Sequence, residues 1–206
     1  MDRDRELAQR VAVAGGWAAR VYTWDQPTVS LGCFQKPELV LRDLDSVPYV
    51  ARPTGGKAVL HGHDITVGLS ASLTALGLNE TQGKSVGRVY RALTRPLIQA
   101  LQGGGVPAEL GERTGHVTQG RGRVADCFAA VSRTDIVHRE TGVKVCGCAL
   151  RVTNGVALAQ ASIPVMQPEI SPQEVFIGYA SPVLPANLEA EKLVETLDRA
   201  LNDGLR

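Results

Sequence analysis

Two residues distant in the chain, Cys127 and Lys144, and one short stretch carry the clearest chemical potential. The stretch is Arg52-Pro53-Thr54-Gly55-Gly56-Lys57-Ala58-Val59-Leu60-His61. A glycine pair lets the backbone pass close to a ligand, because glycine lacks a Cβ and accepts φ > 0. Arg52, Thr54, Lys57 and His61 bring donors to the same place, the composition of an acyl- or phosphate-binding turn. Cys127 follows an Arg-rich segment that includes Arg113, Arg121 and Arg123. Nearby positive charge favours the thiolate, the nucleophilic form of cysteine, although Asp126 opposes this if its carboxylate is close. A lysine can polarise a carbonyl or stabilise an oxyanion, which is the chemistry open to Lys144. The blander alternatives are a buried, inert Cys127 and an exposed strand Lys144.

Other polar clusters carry less. Cys146-x-Cys148 and His61-x-His63 offer four N/S ligands, but neither pair has zinc-site spacing, so no metal is expected. Arg88, Arg91 and Arg95 recur on one helix face and read as a solvated surface.

The elements that must position these residues follow from periodicity. Apolar spacing predicts a helix over 6–14, and β-prone runs cover 20–24 and 28–31. Ile65, Val67, Leu69, Ala71 and Leu73 alternate with Asp64, Thr66, Gly68, Ser70 and Ser72, which predicts a strand with one buried and one polar face. The polar face is expected to look toward whatever the glycine turn binds. A helix over 85–102 is expected to kink or break at Pro96. Residues 111–126 lack apolar periodicity and read as a mobile basic loop. Strands over 134–138, 143–152 and 156–165 are joined by tight turns, and regular alternation would put Lys144, Cys146 and Cys148 on one face. Residues 166–186 are Pro-rich and irregular, and a last helix covers 188–203. Strands joined by tight turns imply an α+β fold with a mixed, mainly antiparallel sheet packed against helices.

The 206 residues fit one domain spanning 1–206, with a core large enough to need no staples. A net charge of +1 and 4% aromatic residues argue against nucleic-acid binding. No apolar run is long enough for a membrane span, and Met1 to Glu6 lack a secretory signal. Four cysteines are too sparse for a disulfide scaffold, so a cytoplasmic protein with reduced thiols is expected.

Several motifs together resemble the lipoate–protein ligase and octanoyltransferase family of the biotin/lipoate attachment superfamily. Arg20 to Lys36 looks like its opening strands, and Arg52 to His61 like its glycine-rich turn. Cys127-Phe128 with Asp135-Ile136 resembles the acyl-accepting stretch of its cysteine-dependent octanoyl-acyl carrier protein:protein N-octanoyltransferase branch. Lys144-Val145-x-Gly147-x-Ala149 and Ala161-Ser162-Ile163-Pro164 resemble its lysine strand and the strand after it.

The resemblance implies a class II synthetase/biotin ligase-like catalytic domain and covalent acyl transfer. Cys127 and Lys144 would be catalytic, and Arg52, Thr54, Gly55, Gly56, Lys57, His61 and Gly147 would bind substrate. Octanoyl-acyl carrier protein would be the donor, and a lipoyl domain or the glycine-cleavage H protein the acceptor. No cofactor is implied; ATP and Mg belong to an alternative, the ATP-dependent lipoate–protein ligase. Val59, Leu60 and the apolar face of the Ile65–Leu73 strand are candidates for the wall of an acyl tunnel. Gln160-Ala161 stands where the family usually has His-Gly, and Gly62 where the transferase branch commonly has Asp. These departures motivate a third reading, a non-catalytic acyl- or partner-binding relative. The end at Arg206, without the further domain that ligases often carry, favours the transferase.

Overall fold

The computed structural model describes residues 1–117, 124–178, 180 and 183–203. The chain runs through α1 (Asp2–Ala14), β1 (Trp17–Tyr22), β2 (Thr28–Leu31), β3 (Tyr49–Ala51), β4 (Val59–His61) and β5 (Asp64–Ser72). It continues through α2 (Glu80–Gly83), α3 (Val86–Gly103), β6 (Ala108–Leu110), α4 (Gly111–Thr114) and β7 (Ile136–His138). The long hairpin β8 (Lys144–Thr153) and β9 (Val156–Pro164) is followed by α5 (Pro172–Val175) and α6 (Ala190–Asp203).

Six strands form one sheet in the order β1-β5-β9-β8-β7-β6, antiparallel at every pairing. A second sheet has the order β3-β2-β4, with β2 and β3 parallel. The expected α+β class with a mainly antiparallel sheet is therefore observed. Asn154 (φ 50°) and Gly155 (φ 75°) close the β8–β9 hairpin, two successive positive φ angles that suit the twist of a tight hairpin.

One face of the large sheet packs on α3 and α6. Ile65, Val67 and Leu69 of β5 meet Leu93, Leu97 and Leu101 of α3 and Leu193 and Leu197 of α6 in one core. A second core lies beneath the small sheet and holds Val29, Leu31, Leu60 and the fully buried Phe176.

Several expectations need correction. Helix α1 begins four residues before the apolar period, because its first turn is held by polar contacts: buried Asp4 accepts hydrogen bonds from Arg20 and Tyr22. The polar face of β5 is itself buried, with Asp64, Thr66 and Ser70 all at 3% exposure or less. Helix α3 continues unbroken through Pro96. Its apolar stripe is buried on both sides of that residue, and this packing offsets the roughly 3 kcal/mol cost of an interior proline. The 111–126 segment begins with structure: α4 is pinned by Gly111 and Glu112 N–H bonds to the Asp135 and Arg133 carbonyls. Residues 118–123, with Arg121 and Arg123, lie outside the described residues.

Alternation along β8 also breaks. Ile136 pairs with Cys146 but Val137 with Lys144, so Val145 is an extra residue on β8, a β-bulge. Val145 and Cys146 both enter the core, and Lys144 is turned out of the face it was expected to share with Cys146 and Cys148. No helix among the described residues is long and apolar enough to cross a membrane.

Candidate active site

Arg52 organises the glycine turn. Its guanidinium is buried and donates from Nη1 to the Ser30 carbonyl at 2.8 Å and to Ser30 Oγ at 3.1 Å. Its Nη2 donates to the carbonyls of Gly55 at 2.8 Å and Lys57 at 2.5 Å. Five residues of turn are thereby wrapped around one cation. Gly56 sits at φ 84°, where a Cβ would come within 3.1 Å of Arg52 Nη2. Beyond the turn, Ala58 N–H donates to the Ala125 carbonyl and Cys127 N–H to the Ala58 carbonyl. These two bonds tie the glycine turn to the cysteine segment.

Cys127 opens a short 3-10 turn, Cys127–Ala129, capped by the Asp126 carboxylate, which accepts from Phe128 N–H at 2.9 Å. The bulged β8 brings Lys144 to it: Nζ donates to the Cys127 carbonyl at 2.9 Å and lies 3.4 Å from Sγ. Asp135, from the loop before β7, completes the group with Oδ1 3.0 Å from Lys144 Nζ, while its Oδ2 accepts from Ser132 N–H at 2.7 Å. Burial alone would pull the Lys144 amine down. Cys127 and Asp135 outweigh it and hold the amine above the ordinary lysine range, so it stays an ammonium at neutral pH. Opposite the thiol, a Cβ on Gly147 would lie 3.3 Å from Cys127 Sγ. The missing side chain leaves room for a reacting carbonyl.

The other wall is a hydrogen-bond chain. Ser30 Oγ lies 2.8 Å from His61 Nε2, and His61 Nδ1 lies 2.8 Å from Asp64 Oδ2. Trp24 stacks on the His61 ring at 4.4 Å between centroids. Asp64 also accepts from Ser162 Oγ at 2.6 Å and Thr66 Oγ1 at 3.1 Å. Burial would raise the Asp64 pKa, but His61 and the hydrogen bonds from His61 and Ser162 hold it below the ordinary carboxylate range.

Gln160 caps the site from β9. Its Oε1 accepts from Thr54 Oγ1 at 2.8 Å, and its Nε2 donates to Asp4 Oδ2 at 2.5 Å. Gln160, which replaces the expected His, thus links the glycine turn to α1.

These walls enclose a cavity of about 40 Å³ lined by Ser30, Arg52, Gly56, Val59, His61, Thr66, Cys127, Gly147, Ala149 and Ala161, among others. That space holds a few waters. Seating an eight-carbon chain requires its wall to part.

Of the residues singled out in the sequence, Arg52, Gly56, His61, Cys127 and Gly147 line this cavity, and Lys144 touches the thiol. Thr54, Gly55 and Lys57 do not line it; Thr54 holds Gln160, while Gly55 and Lys57 supply carbonyls to Arg52. Val59 also lines the cavity. Leu60 and the apolar face of β5 do not, since both are spent on the two cores. Ser30, Asp64 and Asp135 were not assigned roles from sequence. Asp64 stood only in a polar alternation, and a lone Ser or Asp carries no spacing signal. All four cysteines are free thiols, and among the described residues no three potential ligands cluster as a metal site.

The fold is α+β with a thiol beside a buried ammonium at the cavity, and comparison with known proteins gives its family. Residues 1–170 match the model for the lipoyl protein ligase A/B catalytic domain, and the chain belongs to that family. It is 32% identical over 166 residues to the octanoyltransferase LipM of Kyrpidia tusciae, covering 76% of this chain and 56% of that protein. The chain spans little more than half the length of the curated relatives it matches. Among solved structures it is similar to lipoate-protein ligase A bound with ATP, with a TM-score of 0.69 at 19% identity. That match covers 97% of this chain and 78% of the ligase. A bipartite lipoate protein ligase from Thermoplasma acidophilum, solved in a study of that ligase and its E2 lipoyl domain, gives a TM-score of 0.68 at 17% identity. It is matched over 99% of this chain and 79% of its own. These structures share the α+β fold.

Proposed function

We propose that this chain is an octanoyltransferase of protein lipoylation. It moves octanoyl, or lipoyl, from acyl carrier protein through a Cys127 thioester to a lysine of a lipoyl domain or the glycine-cleavage H protein. The observation that carries this reading is Lys144 Nζ 3.4 Å from Cys127 Sγ, with Asp135 holding its charge from behind. Relatives about 30% identical that bear the name octanoyltransferase support it.

In the first step the Cys127 thiolate, stabilised by the Lys144 ammonium, attacks the donor thioester. The carrier thiolate leaves once the tetrahedral oxyanion collapses, and Cys127 holds the acyl group. Lys144 is the cation placed to stabilise that oxyanion, while the buried Arg52 lines the same cavity with its Nη hydrogens committed to the glycine turn and Ser30. The Cys127 N–H is committed to the Ala58 carbonyl and does not contribute. In the second step the acceptor amine attacks the acyl-enzyme, and Cys127 leaves as the thiolate. A thioester donor is already activated, so this route uses neither ATP nor metal, and it needs a reduced thiol, as the cytoplasm provides.

The test mixes the protein with octanoyl-acyl carrier protein and a lipoyl domain without ATP, and reads the acceptor by intact mass. Octanoylation of the lipoyl domain is expected. Pyrophosphate release from ATP and lipoate, with no transfer from the carrier protein, would replace this reading with the ligase. Ligand binding with neither reaction would leave a non-catalytic relative.

A further inference from the structure

The transferase reading leaves one proton without a destination. A lysine side chain has an ordinary pKa of about 10.4 and arrives as an ammonium. It sheds one proton to solvent before it can attack, and it must lose a second as the amide forms. Lys144 Nζ lies 3.0 Å from Asp135 Oδ1 and donates to the Cys127 carbonyl at 2.9 Å, so it faces acceptors already in place and is posed as a donor.

On the opposite wall, Ser30, His61 and Asp64 stand in the order hydroxyl, imidazole, carboxylate, with 2.8 Å at each joint. The three come from β2, β4 and β5, and all are buried. Asp64 fixes the tautomer: its carboxylate accepts from Nδ1–H, which leaves Nε2 to accept from Ser30 Oγ–H. The Ser30 oxygen has two lone pairs, and Arg52 Nη1 donates to one of them. Among the described residues no other donor takes the second, which can accept an incoming N–H. Ser30 and His61 line the same cavity as Cys127.

We propose that Ser30, His61 and Asp64 form a proton relay that deprotonates the acceptor amine in the second half-reaction. As the amine nitrogen bonds to the acyl carbon, the carbonyl π pair moves to oxygen. The nitrogen gives its proton to Ser30 Oγ, and Ser30 passes its own to His61 Nε2. The imidazolium is held by Asp64. Collapse of the intermediate restores the carbonyl, breaks the C–S bond and releases the Cys127 thiolate beside Lys144. His61 then returns its proton to that thiolate or to solvent. The net change is an amine and a thioester converted to an amide and a thiol. Ser30 touches the reacting nitrogen, and His61 and Asp64 act through it.

This proposal rests on the transferase reading, and the test separates the two. Wild type, Ser30→Ala, His61→Gln and Asp64→Asn are loaded from octanoyl-acyl carrier protein, and the Cys127 adduct is measured by intact mass. The adducts are then chased with a lipoyl domain or with hydroxylamine, which is neutral at pH 7 and needs no base to attack. The expected result is normal loading of the variants and normal hydroxylamine release. Transfer to the lipoyl domain should fall about 100-fold or more in His61→Gln, the scale of general-base catalysis. Smaller losses are expected in Ser30→Ala and Asp64→Asn. Unchanged lipoyl-domain transfer in Ser30→Ala and His61→Gln would overturn the relay. So would a parallel loss of hydroxylamine release, or loading lost in all three variants, since either marks a structural network. Absence of an adduct on the wild type would instead remove the transferase reading and the relay with it.

Discussion

The two ends of the cavity solve the same problem, a buried carboxylate, in opposite ways. At the nucleophile end, Asp135 is neutralised by a full charge, the Lys144 ammonium. At the other end, Asp64 is caged by His61, Thr66 and Ser162, and its nearest basic group is the His61 imidazole, whose Nε2 faces Ser30 Oγ. The first arrangement can stabilise developing negative charge but cannot accept a proton. The second can accept one but presents no fixed charge to the thiol. On the proposed mechanism this difference is a division of labour: one end for the thiolate and oxyanion, the other for the amine.

The sharpest way to break this picture is at the thiol. Cys127→Ala should lower acyl transfer more than about 10³-fold, measured as octanoylation of a lipoyl domain, because the covalent route is gone. Lys144→Met comes next. It leaves Asp135 buried without its cation and should destabilise the fold by about 3–5 kcal/mol in denaturant unfolding. The pair Lys144→Met with Asp135→Asn should recover much of that stability while staying inactive, which separates charge compensation from chemistry. Gly147→Val should slow adduct formation about 100-fold, because a Cβ there already lies 3.3 Å from both Cys127 Sγ and the Phe128 ring and the added methyls crowd the thiol further.

A smaller effect distinguishes the ends by pH. The Asp64 pKa is lower in the folded chain than in the unfolded one, so its contribution to stability is present above the ordinary carboxylate value of about 3.9. It is lost as pH falls through the folded value. Melting temperature should therefore drop on acidification below about pH 4, and more shallowly in Asp64→Asn. The smallest effect belongs to the surface: Arg91→Gln removes an exposed pair with Glu112 and should leave transfer unchanged in the same assay.

The sequence was most legible where one residue type performs one local task. The glycine turn, the apolar alternation of Ile65 to Leu73 and the Asn154-Gly155 hairpin are such cases, and all three fold as their local chemistry demands. Cys127 and Lys144 were legible as a pair only through family resemblance. The contact itself depends on the bulge at Val145, and an extra strand residue leaves no mark in an alternation read along one chain. The relay wall was the least legible. Ser30 and Asp64 are 34 positions apart on two strands, and only the packing of the small sheet against the large one puts His61 between them. Gln160 stands out in the sequence only as a departure from the family pattern, and its bond to Asp4 depends on an α1 that begins at Asp2.

The most direct test of the central claim is the intact mass of the protein after mixing with octanoyl-acyl carrier protein, with Cys127→Ala alongside. A single octanoyl adduct on the wild type, absent from the variant, is the predicted result. An adduct that survives in Cys127→Ala, or none on a folded wild type, would contradict the assignment of Cys127 as the acyl carrier.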